Sequence, residues 1–310
     1  MTIACVFPGQ GSQSVGMLAV LAAACPEVKE TFDVASEALG YDIWQLTQQG
    51  PESELNRTDK TQPAMLAAGV AVWRVWQKRR GAAPAFLAGH SLGEYTALVC
   101  AGSLELQQAV RLVAMRGKYM QEAVPAGQGA MAAILGLADE QVIAACAQAA
   151  QGEVVSAVNF NSPGQIVIAG HGNAVARAVD IAKQLGAKRA VILPVSVPSH
   201  CTLMAPAAER LAAYLQDVEI KRPLIPVFNN VDAAYCETPA DIRDALVRQL
   251  VSPVRWVEII QTLARNGVRA VVECGPGKVL AGLNKRIDRE MAALPVQDPA
   301  TLDEALTNTA

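Results

Sequence analysis

Along the chain, short runs of wholly apolar residues alternate with longer stretches in which apolar positions recur every three or four residues. That is the pattern of buried parallel strands separated by amphipathic helices. Residues 3–7 (Ile-Ala-Cys-Val-Phe) read as a strand that ends in Pro8-Gly9-Gln10-Gly11-Ser12, a turn too rich in glycine to go on pairing. Helical periodicity then dominates to Arg80, with a long helix predicted over 59–78 and Pro63 near its start, followed by a strand at 85–89. After the next helix, Ser103 reads as the N-cap of another that ends near Ala123, where Val124-Pro125-Ala126-Gly127 breaks the period.

From Gly129 to Val195 the order changes. Strand 130–135, a helix from Asp139, strands 154–160 and 165–169 joined at Ser162-Pro163-Gly164, helix 173–185 and strand 188–195 spell βαββαβ, a ferredoxin-like unit that can be inserted into a larger domain. Alternation resumes with a strand at 225–228, helices 239–250 and 255–266, and the strand 270–274 running into Gly275-Pro276-Gly277. The expected fold is α/β. A large α/β-hydrolase-like domain with a mostly parallel sheet, 1–124 and 197–310, is interrupted by a ferredoxin-like subdomain at 125–196. The last dozen residues read as loosely committed.

Composition narrows the classes. The 310 residues, 52% of them apolar, supply ample core, and a formal charge of -3 offers no global field for nucleic acid or a membrane surface. No apolar run approaches the roughly 18 residues needed to cross a bilayer, and the amino terminus carries no basic leader, so a cytoplasmic protein is expected. The 7 cysteines are scattered without C-x-x-C spacing and read as buried thiols, not metal ligands. Gly9, Gly11 and Gly16 miss the dinucleotide spacing G-x-G-x-x-G by two positions.

The chemistry is concentrated at Gly89-His90-Ser91-Leu92-Gly93. This G-x-S-x-G pentapeptide sits between a predicted strand and a predicted helix, the context of a nucleophile elbow, and makes Ser91 the candidate nucleophile. A serine hydroxyl needs a base within hydrogen-bond reach. Of three histidines, His90 adjoins the serine and points elsewhere, so bracing the elbow is its expected part; His171 follows a strand of the inserted unit and reads as a solvated loop residue. His200 leaves that unit at the junction of the two domains and is the candidate base. No obvious acid lies between Ser91 and His200, since Asp139, Glu140, Glu153 and Asp180 look like helix or cap positions; a backbone or side-chain carbonyl could instead fix the imidazole tautomer. On a helical wheel of 104–123, Leu106, Ala109, Val110, Val113, Gly117 and Met120 form a stripe with Arg116 on its shoulder. A charge there needs a partner, either a protein carboxylate or a ligand anion such as a substrate carboxylate.

Phe7-Pro-Gly-Gln-Gly-Ser-Gln13, Gly89-His-Ser-Leu-Gly-Glu-Tyr95, Met115-Arg-Gly117, Asn159-Phe-Asn-Ser-Pro163, Val197-Pro-Ser-His200 and Gly275-Pro-Gly277 together resemble the malonyl-CoA:acyl carrier protein transacylase family. The resemblance spans nearly the whole chain. It implies Ser91 as acyl carrier, His200 as base, Arg116 as ligand of the malonyl carboxylate and Gln249, in Gln249-Leu-Val-Ser-Pro253, as the residue whose carbonyl orients His200. It also implies an oxyanion hole made by the backbone N–H groups of Leu92 and Gln10. The substrate would be malonyl-CoA, the partner an acyl carrier protein bearing phosphopantetheine, and the pathway fatty acid elongation. No metal or permanently bound cofactor, no nucleic acid and no membrane partner is expected. A serine thioesterase, a non-catalytic carrier-binding scaffold, and a sister acyltransferase of malonate decarboxylation or polyketide assembly are the competing readings. Lys78-Arg79-Arg80, Lys188-Arg189 and Lys285-Arg286 are the basic clusters available to an acidic carrier.

Overall fold

The structure, a computed structural model, describes residues 1–125, 127–195 and 197–310. Its strands are β1 (Ile3–Phe7), β2 (Phe86–Gly89), β3 (Gly129–Leu135), β4 (Val155–Ser162), β5 (Gln165–His171), β6 (Arg189–Ile192), β7 (Val227–Phe228), β8 (Ala270–Cys274) and β9 (Ala292–Val296). The large sheet has the order β7-β2-β1-β8-β9, and every neighbouring pair is parallel. Parallel neighbours need crossovers, and helices cover both faces. Ile3, Cys5 and Phe7 pack with the helices Pro26–Leu39, Thr58–Lys78 and Leu106–Ala123; Ala4 and Val6 pack on the other side with Trp256–Arg265 and Val279–Ile287. A strand buried on both faces is apolar at every position, which is why β1 reads as a continuous run.

The strand order reverses at β1, which lies between β2 and β8. Ligands of open α/β sheets bind at such a switch point, outside the carboxyl ends of the strands. Phe7 is in register with Gly89, so the glycine-rich turn after β1 and the elbow after β2 emerge side by side.

The second sheet is antiparallel in the order β4-β5-β3-β6, the ferredoxin-like arrangement of its second, third, first and fourth strands. The helices Asp139–Ala150 and Gly172–Gln184 cover one face. The other face carries Met131, Val158, Val167 and Ala169, which cluster with Cys201 of the large domain. The two domains are also stitched by backbone, since Phe160 N–H donates to Val254 O (3.0 Å) and Val254 N–H to Val158 O (2.9 Å). Ala126 and Ser196, inside the span 125–196 expected for the subdomain, lie outside the described residues.

Three local expectations need correction. Ser103 is not a helix cap: its hydroxyl donates to Lys221 O (2.7 Å), and the helix starts only at Leu106, capped by Glu105, whose carboxylate accepts from Gln108 N–H. Strand 188–195 is shorter, ending at Ile192. The carboxyl terminus is firmly built. Strand β9 pairs with β8, and the helix Pro299–Thr309, capped by Asp298, buries Leu302 and Ala305 in the main core. Among the described residues, no helix is long and apolar enough to cross a membrane, and no cluster of His, Cys, Asp and Glu could hold a metal ion.

Candidate active site

The elbow owes its sequence to backbone crowding. A Cβ on Gly89 would lie 1.9 Å from the Gly93 carbonyl carbon, and one on Gly93 would lie 2.0 Å from Phe7 O; neither backbone can yield. Ser91, between them, has φ 53, a left-handed conformation that costs a non-glycine residue about 1–3 kcal/mol. Neighbouring structure enforces it: His90 N–H donates to Phe7 O (3.0 Å), Ser91 N–H to Asn230 Oδ1 (2.6 Å), and Asn230 Nδ2 to Gly89 O (2.7 Å). The amides that follow, Gly93, Glu94 and Tyr95, donate to the carbonyls of His90, Ser91 and Leu92. Leu92 is therefore left, among the described residues, as the one backbone N–H from His90 to Tyr95 without a protein acceptor. The N–H of Gln10 on the adjacent turn is likewise free, and both residues line the same cavity. Two unpaired amides beside a nucleophile can receive an oxyanion.

His200 is 3% exposed and sits with Nε2 2.8 Å from Ser91 Oγ. Its Nδ1 lies 2.8 Å from the backbone carbonyl of Gln249. A carbonyl can only accept, so Nδ1 carries the proton and Nε2 is left to accept from the serine hydroxyl. No carboxylate enters: Glu153 pairs with Arg177 and Asp180 with Lys183, while Asp139 and Glu140 lie in the first turn of their helix. Burial, reinforced by the nearby Arg116 charge, lowers the His200 pKa to about 3 and keeps the ring neutral. His90 braces the elbow, with Nε2 2.8 Å from Asn161 Oδ1 on β4 and its ring 5.6 Å from that of Trp256. His171 is half-buried at the end of β5, where it accepts the Val154 N–H at Nδ1 (2.9 Å), at the start of the helix Gly172–Gln184 and outside this cavity.

Arg116 is 1% exposed. Nη1 donates to Gln62 Oε1 (2.8 Å), while Nη2 donates to Gln249 Oε1 (2.9 Å) and reaches Ser91 Oγ at 3.4 Å. Among the described residues no carboxylate forms an ion pair with it, which removes the internal salt bridge that the sequence left open, and Nε is without a partner. Burial works against its charge. Gly117 makes the site possible by letting two helices approach: a Cβ there would lie 2.6 Å from Thr58 O. Gln249 thus serves twice, through its backbone oxygen on His200 and its side chain on Arg116. Its Nε2 also donates to Glu94 Oε2 (2.8 Å) and Ser91 O (3.1 Å). Gln62, Glu94, Asn161 and Asn230 escape sequence reasoning. The available signal was a polar residue on an otherwise apolar stretch, as at Gln62 before Pro63-Ala-Met-Leu-Ala-Ala68.

The expected site residues Gln10, Ser91, Leu92, Arg116 and His200 all line one cavity, bounded across the cleft by Met131 and Val167 of the small sheet. Gln249 stands just behind it. A hydroxyl bonded to a neutral imidazole, next to unpaired amides, suits acyl transfer, and the fold and site together define an acyltransferase. The model of the acyl transferase domain family matches residues 4–299. A malonyl CoA-acyl carrier protein transacylase of Salmonella typhimurium is 61% identical over 303 residues, 97% of this chain and 98% of the relative. A solved acyl carrier protein S-malonyltransferase of Vibrio cholerae superposes with a TM-score of 0.96 at 59% identity, over 98% of this chain and 99% of the other. A malonyl-transacylase solved with a type II PKS acyl-carrier protein gives a TM-score of 0.98 at 58% identity, covering 99% and 100%. The chain belongs to the malonyl CoA-acyl carrier protein transacylase family.

Two of the buried titratable groups around the site, His200 and Glu94, predict opposite pH effects. Between about 3 and the ordinary value of 6.5 the unfolded chain holds more protons on His200 than the folded chain does. That contribution to stability is complete above pH 6.5 and is lost as the pH falls. Burial raises the Glu94 carboxyl from 4.5 to about 7, so its contribution is complete below pH 4.5 and is lost as the pH rises through 7. In a histidine-selective NMR titration the His200 ring should stay neutral down to about pH 5; a midpoint near 6.5 would contradict the buried, carbonyl-bonded geometry.

Proposed function

We propose that the protein transfers the malonyl group of malonyl-CoA to the phosphopantetheine thiol of an acyl carrier protein, through a malonyl ester of Ser91 in a ping-pong cycle, for fatty acid elongation. The observation that carries this reading is the position of one hydroxyl between a base and a guanidinium: Ser91 Oγ lies 2.8 Å from His200 Nε2 and 3.4 Å from Arg116 Nη2. A malonyl thioester has its carboxylate one methylene from the carbonyl under attack. The carboxylate receptor must then lie within a few ångströms of the nucleophile, as Arg116 does.

His200 takes the hydroxyl proton at Nε2 as Oγ bonds to the thioester carbon, and the oxyanion lies against the N–H groups of Leu92 and Gln10. Collapse breaks the carbon–sulfur bond, and the imidazolium returns its proton to the departing CoA thiol. In the second half, the carrier's thiol gives its proton to His200 and attacks the ester; on collapse Oγ takes that proton back. The Gln249 carbonyl holds the ring throughout and stabilises the imidazolium. Each oxyanion donor in such sites typically contributes about 2.7–4 kcal/mol. Arg116 supplies selectivity over uncharged acyl groups, since charge-assisted hydrogen bonds contribute about 1.5–3 kcal/mol, roughly ten- to hundredfold. Side chains and backbone carry all of these steps, and the proposal calls for no resident metal or cofactor. Because one solved relative is paired with a type II PKS acyl-carrier protein, a polyketide carrier is the second reading of the acceptor.

On mixing with malonyl-CoA and no carrier, intact-mass analysis should show one malonyl adduct that maps to the peptide containing Ser91 and is absent from Ser91→Ala. An adduct that persists in the variant, or rapid release of free malonate from the wild type, would replace this reading, the latter by a thioesterase.

The fold also separates the basic clusters. Lys78-Arg79-Arg80 close the helix Thr58–Lys78 and precede β2, at the end of the parallel sheet opposite the elbow. The other two pairs converge. Arg286 Nη1 donates to Gln165 Oε1 (2.8 Å), and Gln165 faces Leu135, which faces Arg189 on the next strand. Gln165 and the helix Val279–Ile287 also line a second cavity that shares Gln10 and His90 with the first. An acidic carrier docked on this rim would have its pantetheine arm directed along the cleft. Reversing Arg189 and Arg286 to Glu should raise KM for the carrier about tenfold and flatten its salt dependence. Reversing Lys78 and Arg79 should leave both unchanged; equal effects of the two pairs would move the docking site elsewhere.

A further inference from the structure

Arg116 carries a buried positive charge, yet the oxygens that meet it are neutral: two amide oxygens and a hydroxyl. The carboxylate joined to it through a single residue is Glu94, 2% exposed in the first turn of the helix Gly93–Cys100 and, among the described residues, in no ion pair. Between them stands the side-chain amide of Gln249, with Nε2 on Glu94 Oε2 (2.8 Å) and Oε1 on Arg116 Nη2 (2.9 Å).

An amide has one donating and one accepting end, and half a turn about its last bond exchanges them. Here that turn would set the NH₂ against a guanidinium and the oxygen against a carboxylate. The flanking charges therefore permit a single orientation. The same carboxylate oxygen accepts the backbone N–H of Asn230 (2.8 Å), so Glu94 is itself fixed to the residue that holds the Ser91 amide.

We infer that Glu94 is a positioning residue that sets acyl selectivity: acting through Gln249, it balances the Arg116 charge at one remove and keeps an Nη2 edge turned toward Ser91 and free to grip a substrate carboxylate. A carboxylate in direct contact would occupy the donors that the substrate needs. An uncompensated guanidinium would resist burial altogether. A neutral amide between the two charges meets both demands. The inference rests on the reading of Arg116 as the carboxylate receptor, and the test is arranged to separate the two.

Steady-state transfer of malonyl and acetyl groups from their CoA thioesters is compared, at about pH 8, in the wild type, Arg116→Ala, Glu94→Gln and the exchange Glu94→Gln/Gln249→Glu. In Glu94→Gln the Gln249 amide keeps Arg116 and the Ser91 carbonyl but loses its charged acceptor, and Arg116 loses its counter-charge, so malonyl kcat/KM should fall about tenfold relative to acetyl, through KM. The exchange retains the carboxylate between the two helices but sets it directly on the guanidinium, so the preference for malonyl should collapse further; it also serves if the single variant does not fold. Wild-type preference in either variant, or an equal loss for both acyl groups through kcat, would overturn the inference and leave Glu94 as a brace of the elbow. Unchanged preference in Arg116→Ala would instead overturn the reading of Arg116 itself.

Discussion

Burying a guanidinium without a carboxylate against it sets the terms for the rest of this structure. Taking the charge of Arg116 out of water costs several kcal/mol, and each hydrogen bond it donates, to Gln62 and to Gln249, returns only part of that. The neighbours are chosen to be polar and neutral, which leaves the charge available. Both come from elements far away in sequence, so the helices Thr58–Lys78 and Leu106–Ala123 and the end of Pro239–Gln249 must all arrive at one place. Close approach of the first two depends on the missing side chain of Gly117.

Gln249 joins that constraint to the elbow and to the imidazole. Its backbone oxygen fixes the tautomer of His200, its Oε1 meets Arg116, and its Nε2 reaches the Ser91 carbonyl. Imidazole, elbow backbone and guanidinium are thus held by one residue, and a shift of the helix carrying it would disturb all three together. Placing a carbonyl where many serine enzymes place a carboxylate follows from the same logic. A second buried anion next to His200 would pair with Arg116 and take the guanidinium out of use.

Much of this was legible in the sequence, for identifiable reasons. β1 read as a strand because burial on both faces leaves no polar position, β8 read as one despite the buried Glu273, whose carboxylate accepts the Leu280 and Ala281 N–H groups, and the elbow read as an elbow because Gly89 and Gly93 are imposed by backbone contacts. Arg116 was visible as a charge on a buried helical face. Gln62, Glu94 and Asn230 were not, because each is one polar letter whose meaning depends on partners 54, 155 and 139 residues away. The carboxyl-terminal strand was missed for a local reason. Pro295 argues against a central strand, but β9 lies at the sheet edge, where proline is tolerated. Ser103 looked like a cap because serine favours caps; the turn at Gly102 instead spends its hydroxyl on Lys221 O and leaves capping to Glu105.

The central claim is that a single cavity brings a hydroxyl, a neutral imidazole and an unpaired guanidinium to bear on one small dicarboxylic acyl group. A crystal structure of the protein trapped after brief reaction with malonyl-CoA tests it most directly. The account predicts ester density on Ser91 Oγ, the carbonyl oxygen facing the N–H groups of Leu92 and Gln10, and the free carboxylate on the Nη atoms of Arg116. An ester on another side chain, or a carboxylate turned out to solvent with Arg116 still bonded only to Gln62 and Gln249, would contradict it.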